Sequence, residues 1–193
     1  MKKILFVGNS YTYYNEMPEA IFVPMTKEAG LEAEVTSVTK GGYYLKQFAD
    51  PENEEGKRLR ETVAGKHYDW IVLQDQSCYG VVDPRGFLDG VGAIKEVLAQ
   101  NTDRFLLYAT WGRKEGCDKL EELGLTRQEM TNRLEEAYSL AGAKYGMEVA
   151  HVGTAFLAYQ AENPEAELYH PDKSHPSALG SRIAAETILK AIL

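Results

Sequence analysis

Residues 4–10 read Ile4-Leu5-Phe6-Val7-Gly8-Asn9-Ser10, and they decide the fold of this 193-residue chain. Four consecutive apolar residues are typical of a parallel strand that is covered on both faces. The glycine ends the run, and the polar residues after it indicate a turn. We therefore interpret residues 4–7 as the first strand of an α/β protein, with Asn9 and Ser10 at its carboxyl end, where open α/β sheets bind their ligands.

Further short apolar runs alternate with longer amphipathic stretches along the rest of the chain. They predict four more strands, over residues 33–38, 69–74, 105–110 and 147–152. The amphipathic stretches predict five helices, over residues 16–29, 54–64, 87–100, 127–145 and 177–193. Asn15 is the predicted N-cap of the first helix and Gly30 its predicted end. This alternation is typical of βα units, so we expect one α/β domain over residues 1–193, a three-layer α/β/α sandwich around a five-stranded parallel sheet.

The composition of the chain limits which partners it can bind and where it can be located. Its formal net charge is -8, and no stripe of lysine and arginine is present, which argues against nucleic acid as a partner. Cys78 and Cys117 form no CxxC motif, and two lone thiols favour a reducing compartment. The apolar run near the start is shorter than the roughly 7 to 15 residues of a signal-peptide core, and no stretch reaches the roughly 20 apolar residues of a membrane span. We expect a cytoplasmic protein that binds no membrane.

Two segments carry residues suited to nucleophilic catalysis. Ser10 lies in the turn after the first strand, where a hydroxyl and free backbone N–H groups coincide. Near the other end of the chain, Asp172 precedes His175 by three residues, and a carboxylate so placed can orient an imidazole ring and stabilise its protonated form. Together Ser10, Asp172 and His175 predict a hydrolytic triad.

These segments resemble the motifs of a known family. Residues 8–12, Gly-Asn-Ser-Tyr-Thr, resemble the first block of the SGNH hydrolases, the GDSL esterase and lipase superfamily, with Asn9 where an aspartate is usual. Residues 172–176 are similar to its last block, Asp-x-x-His-Pro, and Gly42 falls where the second block supplies an oxyanion-hole glycine. The resemblance spans nearly the whole chain and implies a flavodoxin-like strand order.

The third block departs from the family pattern. The family usually has Gly-x-Asn-Asp there, with the asparagine as an oxyanion donor, whereas residues 73–77 read Leu-Gln-Asp-Gln-Ser. Branches of the superfamily that act on acetylated sugars look similar in using glutamine. Gln74 and Gln76 are both candidates, and strand alternation predicts that their side chains point the same way. The resemblance thus implies an oxyanion held by the N–H groups of Ser10 and Gly42 and by one glutamine amide, without a metal or organic cofactor.

The loops at the carboxyl edge of the predicted sheet are short and polar, which favours a small acyl group. Trp111 offers an apolar face and Arg113 fixed donors, a combination suited to a sugar ring; alternatively, Trp111 packs in the core and Arg113 forms a surface ion pair. Asn9 and Tyr11, beside Ser10, are further candidates for substrate contact. We expect an esterase for a small-molecule substrate that carries acetyl groups on a carbohydrate.

Other interpretations of the same residues stay open. His170, Asp172 and His175 could hold a metal ion, and Cys78 could be the nucleophile. The tyrosines near Ser10 could line a pocket or pack the first turn. At the level of function, a lysophospholipase or thioesterase of the same superfamily is the alternative, as is a non-catalytic flavodoxin-like binding domain.

Overall fold

The computed structural model describes residues 1–193 and contains one five-stranded parallel sheet between two layers of helices. The strands are β1 (Lys2–Gly8), β2 (Ala33–Thr39), β3 (Trp70–Leu73), β4 (Phe105–Ala109) and β5 (Glu148–His151). The α-helices are α1 (Ser10–Tyr13), α2 (Val23–Glu28), α3 (Leu45–Ala49), α4 (Glu54–Val63), α5 (Tyr79–Val82), α6 (Pro84–Leu98), α7 (Asp118–Leu123), α8 (Arg127–Tyr145), α9 (Val152–Glu162) and α10 (Ala178–Ile192). A 3₁₀ turn (Tyr14–Glu16) and a π-helical turn (Met17–Phe22) connect α1 to α2.

The strand order is β2-β1-β3-β4-β5, which confirms the flavodoxin-like arrangement. All neighbouring pairs are parallel, and β3 and β4 are buried along their whole length, as their apolar runs predict. Strand β2, in which charged and apolar residues alternate, lies at one edge of the sheet, where such a pattern is favoured. The carboxyl ends of the strands therefore meet along one side of the sheet, where the residues singled out above are collected.

Alternate residues of the strands serve two separate cores. On one face, Leu5 and Val7 pack with apolar side chains from α3, α4, α6 and α8. On the other face, Ile4 and Phe6 pack with side chains from the π-helical turn, α9 and α10. Because successive side chains of a strand point to opposite faces, the continuous apolar run of β1 supplies both cores at once.

The first helix differs from its prediction. Asn15 is not an N-cap: it has a φ of 56°, and its side-chain amide donates to Pro176 O and Ser181 Oγ. The cap is instead Asn9, whose Oδ1 accepts the N–H of Tyr11 and starts α1 at Ser10. The turn after β1 is therefore tighter than predicted, and the nucleophile candidate is the first residue of a helix.

Besides α1, four helices were not predicted from the sequence: α3, α5, α7 and α9. Of these, α3, α5 and α7 have six residues or fewer, too short to show a helical period. Helix α9 follows β5 directly, and its N-cap residue His151 makes no side-chain capping hydrogen bond. Without a capping residue or a turn signal, the predicted last strand ran on to residue 152. None of the helices has the length and apolarity needed to cross a membrane.

Candidate active site

A cavity of about 200 Å³ opens at the carboxyl ends of β1 and β3. These strands are neighbours in the sheet although the chain passes through β2 between them, so the cavity lies where the strand order reverses. The cavity wall is formed by Asn9, Ser10, Tyr11, Gly42, Gln76, Ser77, Arg113, Ser174 and His175. The loops after four strands and the segment before α10 therefore meet at one place.

Ser10, His175 and Asp172 form a continuous chain of hydrogen bonds. Ser10 Oγ lies 2.8 Å from His175 Nε2, and His175 Nδ1 lies 2.6 Å from Asp172 Oδ2. The other carboxylate oxygen, Asp172 Oδ1, accepts the backbone N–H groups of Ser174 and His175, each at 2.9 Å. The turn between residues 172 and 175 thus fixes the carboxylate beside the ring.

The protonation states of the three groups follow from these contacts. Burial is the largest influence on Asp172 and acts to raise its pKa, but the hydrogen bonds from the His175 ring and from the two backbone N–H groups together lower that pKa to about 2. The carboxylate is ionised at neutral pH and accepts the hydrogen on His175 Nδ1. In the neutral ring, Nε2 then carries the lone pair and accepts the hydroxyl hydrogen of Ser10, as a general base must.

Two tyrosines of the first turn hold the His175 ring. Tyr14 stacks on it with ring centroids 4.4 Å apart and planes 16° apart, and Tyr11 meets it edge-on at 5.5 Å. Asn15 ties the same turn to the carbonyl of Pro176. The imidazole is therefore fixed by packing as well as by its hydrogen bond to Asp172.

Four residues of the cavity wall have a backbone N–H group without an acceptor in the protein: Ser10, Gly42, Ser77 and Arg113. Two of these groups lie at the positions that the family resemblance implies for the oxyanion hole. One belongs to Ser10, because the first residue of a helix has no intrahelical partner for its N–H. The other belongs to Gly42, whose φ of 73° lies in the left-handed region that favours glycine. Unpaired N–H groups beside a nucleophile are the donors from which an oxyanion hole is built.

The structure separates the two glutamines of the third block. Gln74 is fully buried below the first turn: its Oε1 accepts the N–H of Asn9 at 3.0 Å and the hydroxyl of Thr12 at 2.9 Å. Gln76 is half-buried and lines the cavity, with its Nε2 donating to Ser77 Oγ at 3.2 Å. The prediction that the two side chains point the same way is wrong, because β3 ends at Leu73 and strand alternation does not extend beyond it.

Comparisons with known proteins agree with this geometry. The sequence matches no family model and no curated protein. A solved structure from Slackia heliotrinireducens, assigned to the SGNH hydrolases, matches with 30% sequence identity and a TM-score of 0.84, over 100% of this chain and 99% of that one. The chain belongs to the SGNH hydrolase superfamily. As a member of this esterase and lipase superfamily, it is an ester-hydrolysing enzyme.

More distant structures share the fold of this SGNH hydrolase. The acetyl xylan esterase AlAXEase has 19% identity and a TM-score of 0.72, over 99% of this chain and 100% of that one. An acetylxylan esterase from Geobacillus stearothermophilus has 13% identity and a TM-score of 0.68, over 99% of this chain and 94% of that one. At these identities the likeness concerns the fold alone.

Trp111 does not face the cavity of this SGNH hydrolase. It is fully buried and stacks between Tyr11, at a centroid distance of 4.5 Å, and Phe156, at 4.3 Å. Its indole N–H donates to the backbone carbonyl of Ser174. The prediction that Trp111 stacks on a sugar ring is therefore wrong, and the alternative of core packing is confirmed, because the ring finds two aromatic partners on the α9 side of the sheet.

Asn9 and Tyr11 do line the cavity, but their side chains already have partners. The Nδ2 of Asn9 donates to the carbonyls of Tyr43 and Asp75, at 3.0 and 3.2 Å, and its Oδ1 caps α1. The hydroxyls of Tyr11 and Ser174 share a hydrogen bond of 3.0 Å. Asn9 thus fastens together the loops that follow three strands, which explains why an asparagine amide suits this position.

Arg113 lines the cavity as predicted, and its alternative, a surface ion pair, is wrong. It is only 8% exposed, and its guanidinium donates to Ser77 Oγ at 2.7 Å and to Ser174 Oγ. The sequence analysis did not identify these two serines. The only signal for them was position, since Ser77 follows Gln76 and Ser174 precedes His175.

A second cavity, of about 500 Å³, adjoins the first. Gln76, Arg113 and Ser174 belong to the walls of both. The rest of its wall is Tyr44, Cys78, Tyr79, Val82, Cys117, Asp118, Lys119 and Glu122. Space for the larger part of a substrate is therefore available next to Ser10.

The remaining nucleophile and metal candidates find little support. Burial raises the pKa of the Cys78 thiol, which disfavours the reactive thiolate, and Cys78 lines the second cavity but not the one that contains Ser10. His170 Nδ1 lies 3.4 Å from Asp172 Oδ2, but no group of three or more histidine, cysteine, aspartate or glutamate side chains is arranged to hold a metal ion.

Proposed function

We propose that this protein is a serine esterase that removes short acyl groups, above all acetyl, from a carbohydrate. Ser10 is the nucleophile, His175 the general base and acid, and Asp172 the group that orients the ring. The observation that carries the proposal is the chain of hydrogen bonds from the Asp172 carboxylate through His175 to the Ser10 hydroxyl, with contacts of 2.6 and 2.8 Å. Nucleophile, base and orienting group are the three parts that this chemistry needs.

In the first half of the reaction, Ser10 Oγ attacks the ester carbonyl while its proton moves to His175 Nε2. The tetrahedral intermediate carries its negative charge on the former carbonyl oxygen. The bond to the alcohol then breaks, and the alcohol leaves with the proton from Nε2. The acyl group stays on Ser10 as an ester.

In the second half, a water molecule takes the place of the alcohol. His175 Nε2 accepts its proton, the hydroxide attacks the acyl-serine, and the acid leaves as Ser10 recovers its hydrogen from the ring. In both halves the oxyanion would be held by the free N–H groups of Ser10 and Gly42 and by the amide of Gln76. Donors of this kind are worth about 2.7 to 4 kcal/mol each where they have been measured.

The preference for a short acyl group follows from the size and lining of the cavity at Ser10. It holds about 200 Å³, and Tyr11 is its only hydrophobic wall residue. A long acyl chain gains about 0.8 kcal/mol for each CH₂ that it buries in an apolar channel. The wall of this cavity forms no such channel. That observation favours an acetyl esterase over a lysophospholipase or thioesterase.

The carbohydrate part is supported by the second cavity and by the fold. With Trp111 buried, the aromatic rings in the wall of the second cavity are Tyr44 and Tyr79, which meet edge-to-face with ring centroids 4.5 Å apart. Polar side chains surround them, a mixture suited to a sugar with hydroxyls and C–H faces. Two structures with the same fold are acetylxylan esterases, and catalytic mutants of one of them replace a histidine or an aspartate by alanine.

The nucleophile is tested with a fluorophosphonate probe and 4-nitrophenyl acetate. Wild type should form an adduct on Ser10 at neutral pH, and Ser10→Ala should lose the adduct and, by the precedent of a serine protease, on the order of 10⁶ in turnover. Ser37→Ala is the matched control. Ser37 lies on the edge strand β2, away from the cavity, and its hydroxyl donates a hydrogen bond to Glu19 Oε1. A wild-type protein without an adduct would favour the binding domain instead.

The acyl preference is tested by comparing kcat/KM for acetyl, butyryl and octanoyl 4-nitrophenyl esters, followed by acetate release from acetylated xylo-oligosaccharides. We expect acetyl to be preferred and octanoyl to be the poorest substrate. A clear preference for octanoyl would overturn the acetyl proposal while leaving the roles of Ser10 and His175 intact.

A further inference from the structure

We propose that the ester substrate carries a carboxylate group, as an acylated sugar acid does, and that Arg113 binds it; this inference rests on the proposed esterase function. The guanidinium of Arg113 is almost completely buried in the wall shared by the two cavities. Its hydrogen bonds go only to the hydroxyls of Ser77 and Ser174, which are neutral. The guanidinium also lies over the ring of Tyr11, with Cζ 5.2 Å from the ring centroid. Arg113 forms no salt bridge, and the carboxylate whose charge acts on it, Asp172, is already paired with His175.

Such an arrangement is uncommon because a buried charge is costly unless it is paired. Burial lowers the pKa of Arg113, because water solvates a buried guanidinium poorly. A bound ligand can reach the guanidinium, because Arg113 lines both cavities. A bound anion would supply the missing charge and accept donors that the two serines leave free.

The charges around the second cavity leave Arg113 as its unpaired cation. Lys119 Nζ donates to Glu122 Oε2 at 2.7 Å, so these two charges compensate each other. Asp118 is exposed in the first turn of α7, where a carboxylate complements the helix dipole. An anionic substrate that enters this cavity therefore meets Arg113 as the free positive charge.

The single guanidinium fits a carboxylate better than a phosphate group. A carboxylate carries one negative charge and two oxygens in a plane, which match the planar donors of one arginine. A phosphate monoester carries close to two charges. The other cations nearby are Lys119, which is paired with Glu122, and Lys46, which donates to the Tyr79 hydroxyl and does not line the cavity. With the ester carbonyl at Ser10, the carboxylate would lie on the part of the substrate that occupies the second cavity.

The test compares matched anionic and neutral acetate esters. The substrates are 3- and 4-acetoxybenzoate and the corresponding acetoxybenzamides, whose amide replaces the carboxylate at nearly equal size. The quantity measured is the ratio of kcat/KM for acid over amide in wild type, Arg113→Gln, Arg113→Lys and the control Arg182→Gln. Arg182 is an exposed arginine on α10 paired with Glu186, so its replacement changes the net charge equally without touching the site.

We expect wild type to prefer at least one of the two acids over its amide, although the net charge of the protein is -8. Arg113→Gln should lower that ratio by about 10-fold or more, as expected for the loss of a charge-assisted hydrogen bond. Arg113→Lys should retain part of the preference, and Arg182→Gln should keep the wild-type ratio.

Two results would overturn the inference: a wild-type ratio near one for both isomers, or an Arg113→Gln variant that loses activity on acid and amide equally. If Arg113→Gln does not fold, wild type alone decides, because benzoate should inhibit phenyl acetate hydrolysis at lower concentration than benzamide. Equal inhibition would count against Arg113. The proposed esterase function fails separately, if phenyl acetate hydrolysis does not depend on Ser10.

Discussion

Replacing each glutamine of the third block by alanine should affect different properties of the enzyme. Gln76→Ala removes an amide that faces the cavity beside Ser10, so it should lower kcat with little change in stability. Gln74→Ala removes a buried hydrogen-bond acceptor below the first turn, so its main effect should be to lower the free energy of unfolding. The two residues have the same chemistry and lie two positions apart, which makes each the control for the other.

The magnitudes follow from the contacts of each side chain. One lost oxyanion donor at Gln76 should cost about 2.7 to 4 kcal/mol in the transition state, or roughly 10² to 10³ in kcat. KM should change little, because the charge that Gln76 stabilises develops only in the transition state. Gln74→Ala leaves the N–H of Asn9 and the hydroxyl of Thr12 without their acceptor, at about 1 to 3 kcal/mol for each unsatisfied group. The sum, about 2 to 6 kcal/mol, is a large part of the roughly 5 to 15 kcal/mol that holds a domain together.

The assay is hydrolysis of 4-nitrophenyl acetate, with kcat normalised to the fraction of protein that reacts with the fluorophosphonate probe. Urea denaturation gives the free energy of unfolding for both variants. Normalisation removes any loss that is due only to unfolded protein. The assignment of Gln76 would be refuted by a Gln76→Ala variant whose kcat stays within about fivefold of wild type. It would also be refuted if Gln74→Ala kept its stability and lost kcat.

Three further variants test other parts of the structure. Asp172→Asn should lower kcat by about 10⁴. The oxygen that accepts two backbone N–H groups must stay in place, so the amide NH₂ turns toward His175 Nδ1 and forces the wrong tautomer of the ring. A loss below tenfold would mean that another group orients the ring. Trp111→Ala should lower the free energy of unfolding in urea by about 3 to 5 kcal/mol, as for other buried aromatic residues, and a variant as stable as wild type would contradict its core position. Burial raises the pKa of Asp75 to about 7 in the folded protein, whereas it is about 3.9 in the unfolded chain. Between these two pH values only the folded protein keeps the proton, so the free energy of unfolding of wild type should fall as the pH rises from about 4 to about 7. The side chain in Asp75→Asn cannot ionise. The free energy of unfolding of this variant, measured in urea, should therefore rise relative to that of wild type between about pH 4 and pH 7. A difference between the two proteins that stays constant over this range would contradict the raised pKa of Asp75.

The sequence alone predicted the strands and put the candidate site at the carboxyl edge of the sheet, and its resemblance to the SGNH hydrolases implied the strand order. Strands β1, β3 and β4 are continuous apolar runs because both of their faces are covered, and such runs are visible without any structure. The capping box of α8, from Thr126 to Glu129, is equally local. Ser10 and His175 are 165 positions apart, but parallel strands bring the ends of their loops to one edge of the sheet. Their proximity follows from the topology, whereas their roles in catalysis stay predictions.

The tertiary structure decided what the side chains at that edge do. A residue just past the end of a strand is free of the strand's alternation, so its direction depends on what the neighbouring loops offer. Trp111 turns into the core because Tyr11 and Phe156 stack on both of its faces, although they lie far away in sequence. Arg113, two residues later, turns instead to two serine hydroxyls in the cavity wall. These choices are set by packing between distant segments, which no local pattern of residues records.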